Sequence, residues 1–196
     1  MKYGELNLGQ IEAIVNKLGG MEGVKRFLSG EIVVKATEQT FKVWKTIKLG
    51  THKNVDTLKK ALTEASFRIG DWANDILGKE AFKIAATEEE IDLVTVTVAE
   101  LGFKDGAKYS AICERGLQLG LELCPNEVGP QLRLQYKDQP KGEWLRIAME
   151  AITDSDGYLF IFAVGYDRGE LWLFGYFGHP GRVYFADDRF VFVRRK

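Results

Sequence analysis

Nine consecutive residues without a charged or amide side chain, Tyr158-Leu159-Phe160-Ile161-Phe162-Ala163-Val164-Gly165-Tyr166, stand between two turn sequences, Asp154-Ser155-Asp156-Gly157 and Asp167-Arg168-Gly169. A strand that is apolar on both faces has to be covered on both sides, by helices or by closure of its sheet. The run is far short of the roughly 20 residues a membrane-spanning helix needs, so it reads as the middle of a buried sheet and no membrane association is expected. Further strands are expected at 143–152, 170–177, 182–185 and 189–194, joined through Gly178-His179-Pro180-Gly181 and Asp187-Asp188. One more is expected at 131–136, where Leu132, Leu134 and Tyr136 alternate with Gln131, Arg133 and Gln135. The pattern describes an antiparallel meander that can curl into a small barrel.

Upstream, the apolar period lengthens from two to that of a helix. Tyr109, Ile112, Cys113, Gly116 and Leu117 share one face of a helix expected over 107–119, which the meander would pack upon. Asn7 with Gln10 forms a capping box for a helix over 8–18, ended by Gly19-Gly20, and a second helix follows at 21–28. Segments 31–36 and 41–49 are rich in β-branched and aromatic residues and read as a short hairpin. Helices at 54–65 and 71–77 and a β-branched strand at 91–98 complete the reading. The fold class is therefore α+β: amino-terminal helices with a short β-hairpin, then a carboxy-terminal antiparallel meander packed on an amphipathic helix. The acidic Glu88-Glu89-Glu90 suggests regions 1–90 and 91–196, which can equally form one continuous domain.

With 196 residues, 45% apolar and 28% charged, the chain can bury a core without disulfides or a structural metal. Cys113 and Cys124 match no zinc or redox spacing and are expected as thiols, and the amino terminus shows no apolar signal segment, so a cytoplasmic protein is expected. Neither a cofactor nor a metal is expected. Asp154-Ser155-Asp156-Gly157 looks like the start of a calcium loop, but the twelfth position is Gly165 where a bidentate glutamate is required, so it reads as a turn.

The net charge of −1 hides an uneven distribution: residues 1–60 hold 11 Lys and Arg against 6 Asp and Glu, and residues 61–130 hold 6 against 13. On the strand at 41–49 this places Lys42, Trp44, Thr46 and Lys48 on one face, where lysines can meet phosphates and an indole can stack on a base. The helix pair 54–65 and 71–77 has the outline of a helix-turn-helix, but Asp71 and Asp75 would repel phosphates from its second helix.

The run Leu119-Gly120-Leu121-Glu122-Leu123-Cys124-Pro125-Asn126-Glu127-Val128-Gly129-Pro130-Gln131-Leu132-Arg133-Leu134-Gln135-Tyr136, with Pro140-Lys141-Gly142-Glu143-Trp144 downstream, resembles a group of uncharacterised bacterial proteins. The resemblance extends over about the carboxy-terminal half and touches the GGMEGVKRFLSGE segment. It implies a bacterial, cytoplasmic protein and brings no catalytic residues with it.

Three functional readings follow. The favoured one is a non-enzymatic binding module for a protein or small ligand, acting through the aromatic-rich meander or through Arg133 flanked by Gln131 and Gln135, a guanidinium able to grip a carboxylate or phosphate. The second is a nucleic-acid-binding protein using Lys42, Trp44 and Lys48. The third is a hydrolase-like enzyme in which Cys124 is the nucleophile and His179 or His52 its partner, while Glu122 or Glu127 is a candidate acid or base opposite the Arg133 face with no second catalytic member identified by spacing. Against it, nearby Glu122 and Glu127 would raise the thiol pKa, and His179 sits in a glycine-rich turn.

Overall fold

In a computed structural model, which describes residues 7–33 and 41–195, the first helix begins where its capping chemistry requires. The Gln10 backbone N–H donates to the Asn7 side chain and the Asn7 backbone N–H donates to the Gln10 side chain, each at 2.9 Å, opening α1 (Leu8–Lys17). After Gly19, held at φ +90, α2 (Gly20–Leu28) follows. These helices belong to the smaller of two compact units, Met1–Glu38, in which only Gly23 is buried among the described residues. Of the strand expected at 31–36, residues 31–33 carry no strand and 34–36 lie outside the described residues.

The second unit, Gln39–Lys196, holds the core. Its elements are β1 (Lys45–Leu49), α3 (Val55–Glu64), β2 (Arg68–Ile69), α4 (Asp71–Leu77), β3 (Glu89–Thr97), β4 (Ala107–Lys108), α5 (Tyr109–Gln118), β5 (Leu121–Glu122), α6 (Val128–Gln135), β6 (Trp144–Ile147), β7 (Ile152–Thr153), β8 (Leu159–Asp167), β9 (Glu170–Phe177), β10 (Val183–Tyr184) and β11 (Arg189–Arg194). The class is α+β, and the main sheet is mixed and curls into a half-barrel, with strand order β1-β3-β11-β6-β8-β9-β2.

The antiparallel meander holds only in part. β6, β8 and β9 are successive antiparallel neighbours, and the β8–β9 hairpin closes through Arg168 and Gly169, both at positive φ as a type I′ turn demands. β10, however, leaves the sheet to pair with β4, and β11 inserts between β3 and β6, antiparallel to the first and parallel to the second. The strand at 41–49 finds its partner in β3, with Lys45 opposite Leu93 and Leu49 opposite Glu89. The division considered between residues 90 and 91 falls inside β3, which carries β1 on one side and β11 on the other.

One expected strand is a helix. Residues 131–136 belong to α6 and its cap. Their alternation is a coincidence of two periods: Val128 and Leu132, four apart, are fully buried, and Glu127, Gln131 and Gln135 form a second row at the same spacing. Pro130 stands in the first turn, where its missing N–H leaves no helical bond unmade. Gly129 lets the helix settle on the sheet, since a Cβ there would lie 2.4 Å from the Phe162 Cβ.

Both faces of β8 are covered, as its composition requires. Leu145, Phe162, Val164 and Leu173 form one inner face, packed by α4 and α6. On the other, Phe190 and Phe192 meet Tyr109, Tyr184 and Gly116 of the α5 side. α5 does not extend across β6 and β9, whose residues on that second face stay half-exposed.

Candidate ligand-binding face

The half-exposed part of the second face is made of rings. Register sets Trp144, Gly165 and Trp172 in one row across β6, β8 and β9, with Arg146, Ala163 and Phe174 in the next. Trp172 stacks on Phe174 at 4.8 Å between centroids and 15° between planes, and Phe174 meets Trp144 at 4.7 Å. Gly165 is the floor under Trp144: a Cβ at this glycine would be 2.8 Å from the indole Cε3. The indole therefore packs closely over the strand at Gly165 and stays half-exposed where it lines the cleft described next. The indole N–H of Trp172 is buried without a hydrogen-bond partner.

Beside these rings lies a cleft of about 480 Å³, lined by Trp144, the cations Lys141, Arg146 and Arg189, and the carboxylates Glu143, Asp187 and Asp188. Its inner part is built of mutually paired side chains. Arg146 pairs with Asp188 at 2.9 Å and lies 4.8 Å from the Tyr176 ring centroid and 5.4 Å from that of Tyr184, while its Nε is buried and unpartnered. The Tyr184 hydroxyl donates to the Phe177 carbonyl at 2.6 Å and the Tyr136 hydroxyl to Glu143 at 2.8 Å. Burial pushes both phenols up from their ordinary values, so both remain protonated donors at neutral pH. At the mouth, Arg189 approaches Glu143 at 3.9 Å, and Lys141 and Asp187 are exposed. Donors and acceptors thus surround an aromatic surface with equal numbers of positive and negative charges.

The residues singled out from sequence lie elsewhere, and all but Lys42 have a structural partner. Arg133 is fully buried and cannot grip an external anion as expected. Its guanidinium donates to the Tyr136 carbonyl at the end of α6 and to the Gln139 side chain, and lies 5.1 Å from the Phe67 ring centroid. Burial pushes it down to about 10, so it stays charged at neutral pH. Gln131 and Gln135 do not share a strand face with it; they belong to the polar row of α6 lying along the edge of β1. Gln135 accepts from the Lys48 N–H at 2.9 Å and donates to the Lys48 carbonyl at 2.8 Å, replacing a neighbouring strand. Gln131 donates to Glu127 and to the Thr51 hydroxyl, both at 2.8 Å. Glu127, 1% exposed, accepts the Gly50 N–H at 2.9 Å and the Ala85 N–H at 2.8 Å.

Trp44 is half-buried edge-on against Tyr136, 5.0 Å between centroids. Lys48 lies opposite Glu90, 3.9 Å away, and Thr46 donates to Asp92 at 2.6 Å, so β3 supplies carboxylates to the basic strand; Lys42 is exposed before β1 begins. Cys124 is buried, its thiol donating to the Val191 carbonyl at 3.3 Å, and burial pushes its pKa far up from the ordinary thiol range. His179 is exposed and accepts the Gly181 N–H within its own turn, Glu122 pairs with Arg195 at 3.2 Å, and His52 lies 2.9 Å from the Thr51 hydroxyl. Among the described residues, no hydrogen bond joins Cys124 to either histidine.

The signal for the ring face was present in the sequence of β9, where Trp172, Phe174 and Tyr176 alternate with Leu171, Leu173 and Gly175. Alternation identifies a shared face, but not that the covering helix stops short of it. Comparison of the chain with protein-family models, with curated proteins and with solved structures gives no match.

Proposed function

We propose that the protein is a binding module that takes a small polar ligand on the Trp144–Phe174–Trp172 face and in the cleft beside it. The observation that carries this reading is the contact between a half-exposed run of rings and a concave, charge-lined opening of about 480 Å³. That volume falls in the range of small-molecule sites. Three rings left partly in water are a cost that a fold with this much apolar residue could have avoided by covering them, and the packing of Arg146 on Tyr176 and Tyr184 shapes the cleft wall in advance. None of the lining side chains is a serine, cysteine or histidine, so the cleft offers no hydroxyl, thiol or imidazole for nucleophilic catalysis.

The test is an indole-resolved NMR titration of the full chain with separate pools of neutral saccharides, nucleosides, nucleotides and free amino acids. A pool that binds shifts the indole signals of Trp144 and Trp172 while that of Trp72 stays in place. If every pool leaves Trp144 and Trp172 unmoved, or moves only Trp44 or Trp72, the reading is wrong.

A further inference from the structure

Resting on this ligand-binding reading, we infer that the ligand is a neutral saccharide, with one pyranose ring laid on the indole of Trp144 and its hydroxyl groups held by the charged rim of the cleft.

Three observations select this class. First, the aromatic surface opens on the cleft. Trp144 is half-exposed, packs over Gly165, meets Phe174 at 4.7 Å between centroids and lines the cleft wall, so a ligand ring in the cleft is met by its indole. A sugar ring presents a patch of polarised C–H groups on one face, and these are attracted by the negative face of an indole. Second, the rim is balanced. Lys141, Arg146 and Arg189 face Glu143, Asp187 and Asp188 around one opening, which gives no net attraction for a phosphate or a uronate and opposes neither sign strongly. A hydroxyl group both donates and accepts, and a rim of alternating cations and carboxylates satisfies both capacities. Third, the buried and exposed members of the rim are separated. Arg146 and Asp188 hold each other with side chains only 11% and 15% exposed, whereas Lys141, Asp187 and Arg189 stand at the surface. The inner pair fixes the shape of the wall, and the exposed Lys141 and Asp187, with Arg189 drawn toward Glu143 only at 3.9 Å, stand where ligand hydroxyls can be reached.

The experiment is a titration of the full chain, followed by indole NMR and calorimetry, with neutral gluco-, manno- and galacto-oligosaccharides, and in parallel with a uronic-acid oligosaccharide, adenosine and adenosine monophosphate. At least one neutral oligosaccharide should shift Trp144 saturably. Its affinity should change by less than about twofold between roughly 0.05 and 0.5 M salt, because no net charge is neutralised. Trp144→Ala should weaken it by about tenfold or more, and Trp144→Phe by only a few-fold, since stacking on an aromatic face contributes on that scale. Should Trp144→Ala fail to fold, the exposed variants Lys141→Ala and Asp187→Ala decide instead, each weakening the same oligosaccharide several-fold. If adenosine, the nucleotide or the uronate binds at Trp144 and the neutral sugars do not, the saccharide assignment falls while the binding reading survives. If none of the probes shifts Trp144, the saccharide assignment falls, and the remaining pools, free amino acids among them, decide whether the binding reading falls with it.

Discussion

Glu127 tests whether the edge of the sheet is held by side chains of α6. Its carboxylate is 1% exposed and receives three N–H groups: the backbone amides of Gly50 and Ala85 and the Gln131 side chain, at 2.8–2.9 Å. Gly50 sits at φ +68 with the Thr87 carbonyl 2.3 Å from where a Cβ would be, so its backbone cannot easily turn to another acceptor. Glu127→Gln replaces one carboxylate oxygen by an NH₂ group. With the amide oxygen facing Gly50 and Gln131, the new donor points at the Ala85 N–H. One charge-assisted bond is lost and two donors, the Ala85 N–H and the new amide, are left facing each other, a cost of about 2–4 kcal/mol. Glu127→Ala removes all three, and with partial relaxation of the loop the loss is about 3–5 kcal/mol. Urea denaturation monitored by circular dichroism should give a lower midpoint with an unchanged slope. Amide exchange should show loss of protection at Ala85 in the Gln variant, and at both Gly50 and Ala85 in the Ala variant. A Gln variant within about 0.5 kcal/mol of the parent, with Ala85 still protected, would refute the account of Glu127 as the buried acceptor that ties the Gly50 and Ala85 amides to the start of α6.

Other expectations follow from the same geometry. Gly129→Ala gains helix propensity of about 1 kcal/mol but forces a methyl to within 2.4 Å of the Phe162 Cβ, so thermal unfolding should show net destabilisation of about 1–2 kcal/mol; a stabilised variant would mean that α6 has room to lift. Asp75 receives the Ser155 N–H at 2.7 Å and pairs with Lys79 at 3.0 Å, which hold its pKa below the ordinary 3.8. A carboxylate with a depressed folded-state pKa stabilises the fold above its unfolded pKa and loses that contribution as pH falls through the folded value. The stability difference between the parent and Asp75→Asn should thus be constant above about pH 5 and shrink below about pH 4; a difference growing toward acid would reverse the assignment. Burial pushes Cys113 up to about 11 and Cys124 beyond that. At pH 8 a disulfide reagent should react slowly with Cys113 and with Cys124 only on unfolding, and a native Cys124 as fast as a free thiol would contradict the buried, Val191-bonded position.

Local chemistry wrote much of the chain in advance. The Asn7–Gln10 box, the Asn54 cap of α3, the helix at 71–77, the dense strand at 91–98 and the hairpin turn at Arg168–Gly169 all depend on residues within a few positions of one another, and each forms where its signals stand. The segment 131–136 failed because Leu132 and Tyr136 fit both periods, while Leu134 fits only the strand period and stays half-buried. What decides between them is Val128 and Leu132 reaching the core while Glu127 and Gln135 meet backbone 77 and 87 residues away in sequence. The same distance hid the fate of Arg133, which looks like an anion ligand on an open strand and is a buried helix cap beneath Phe67. Binding surfaces follow the same logic. Alternation in β9 is enough to align Trp172, Phe174 and Tyr176, but their exposure depends on where α5 ends over the sheet and on β11 entering between β3 and β6. Propensity acts over one turn or one hairpin. Partner choice among strands, and hence which ring faces meet water, is set by burial summed over the whole sheet, which no local stretch of sequence contains.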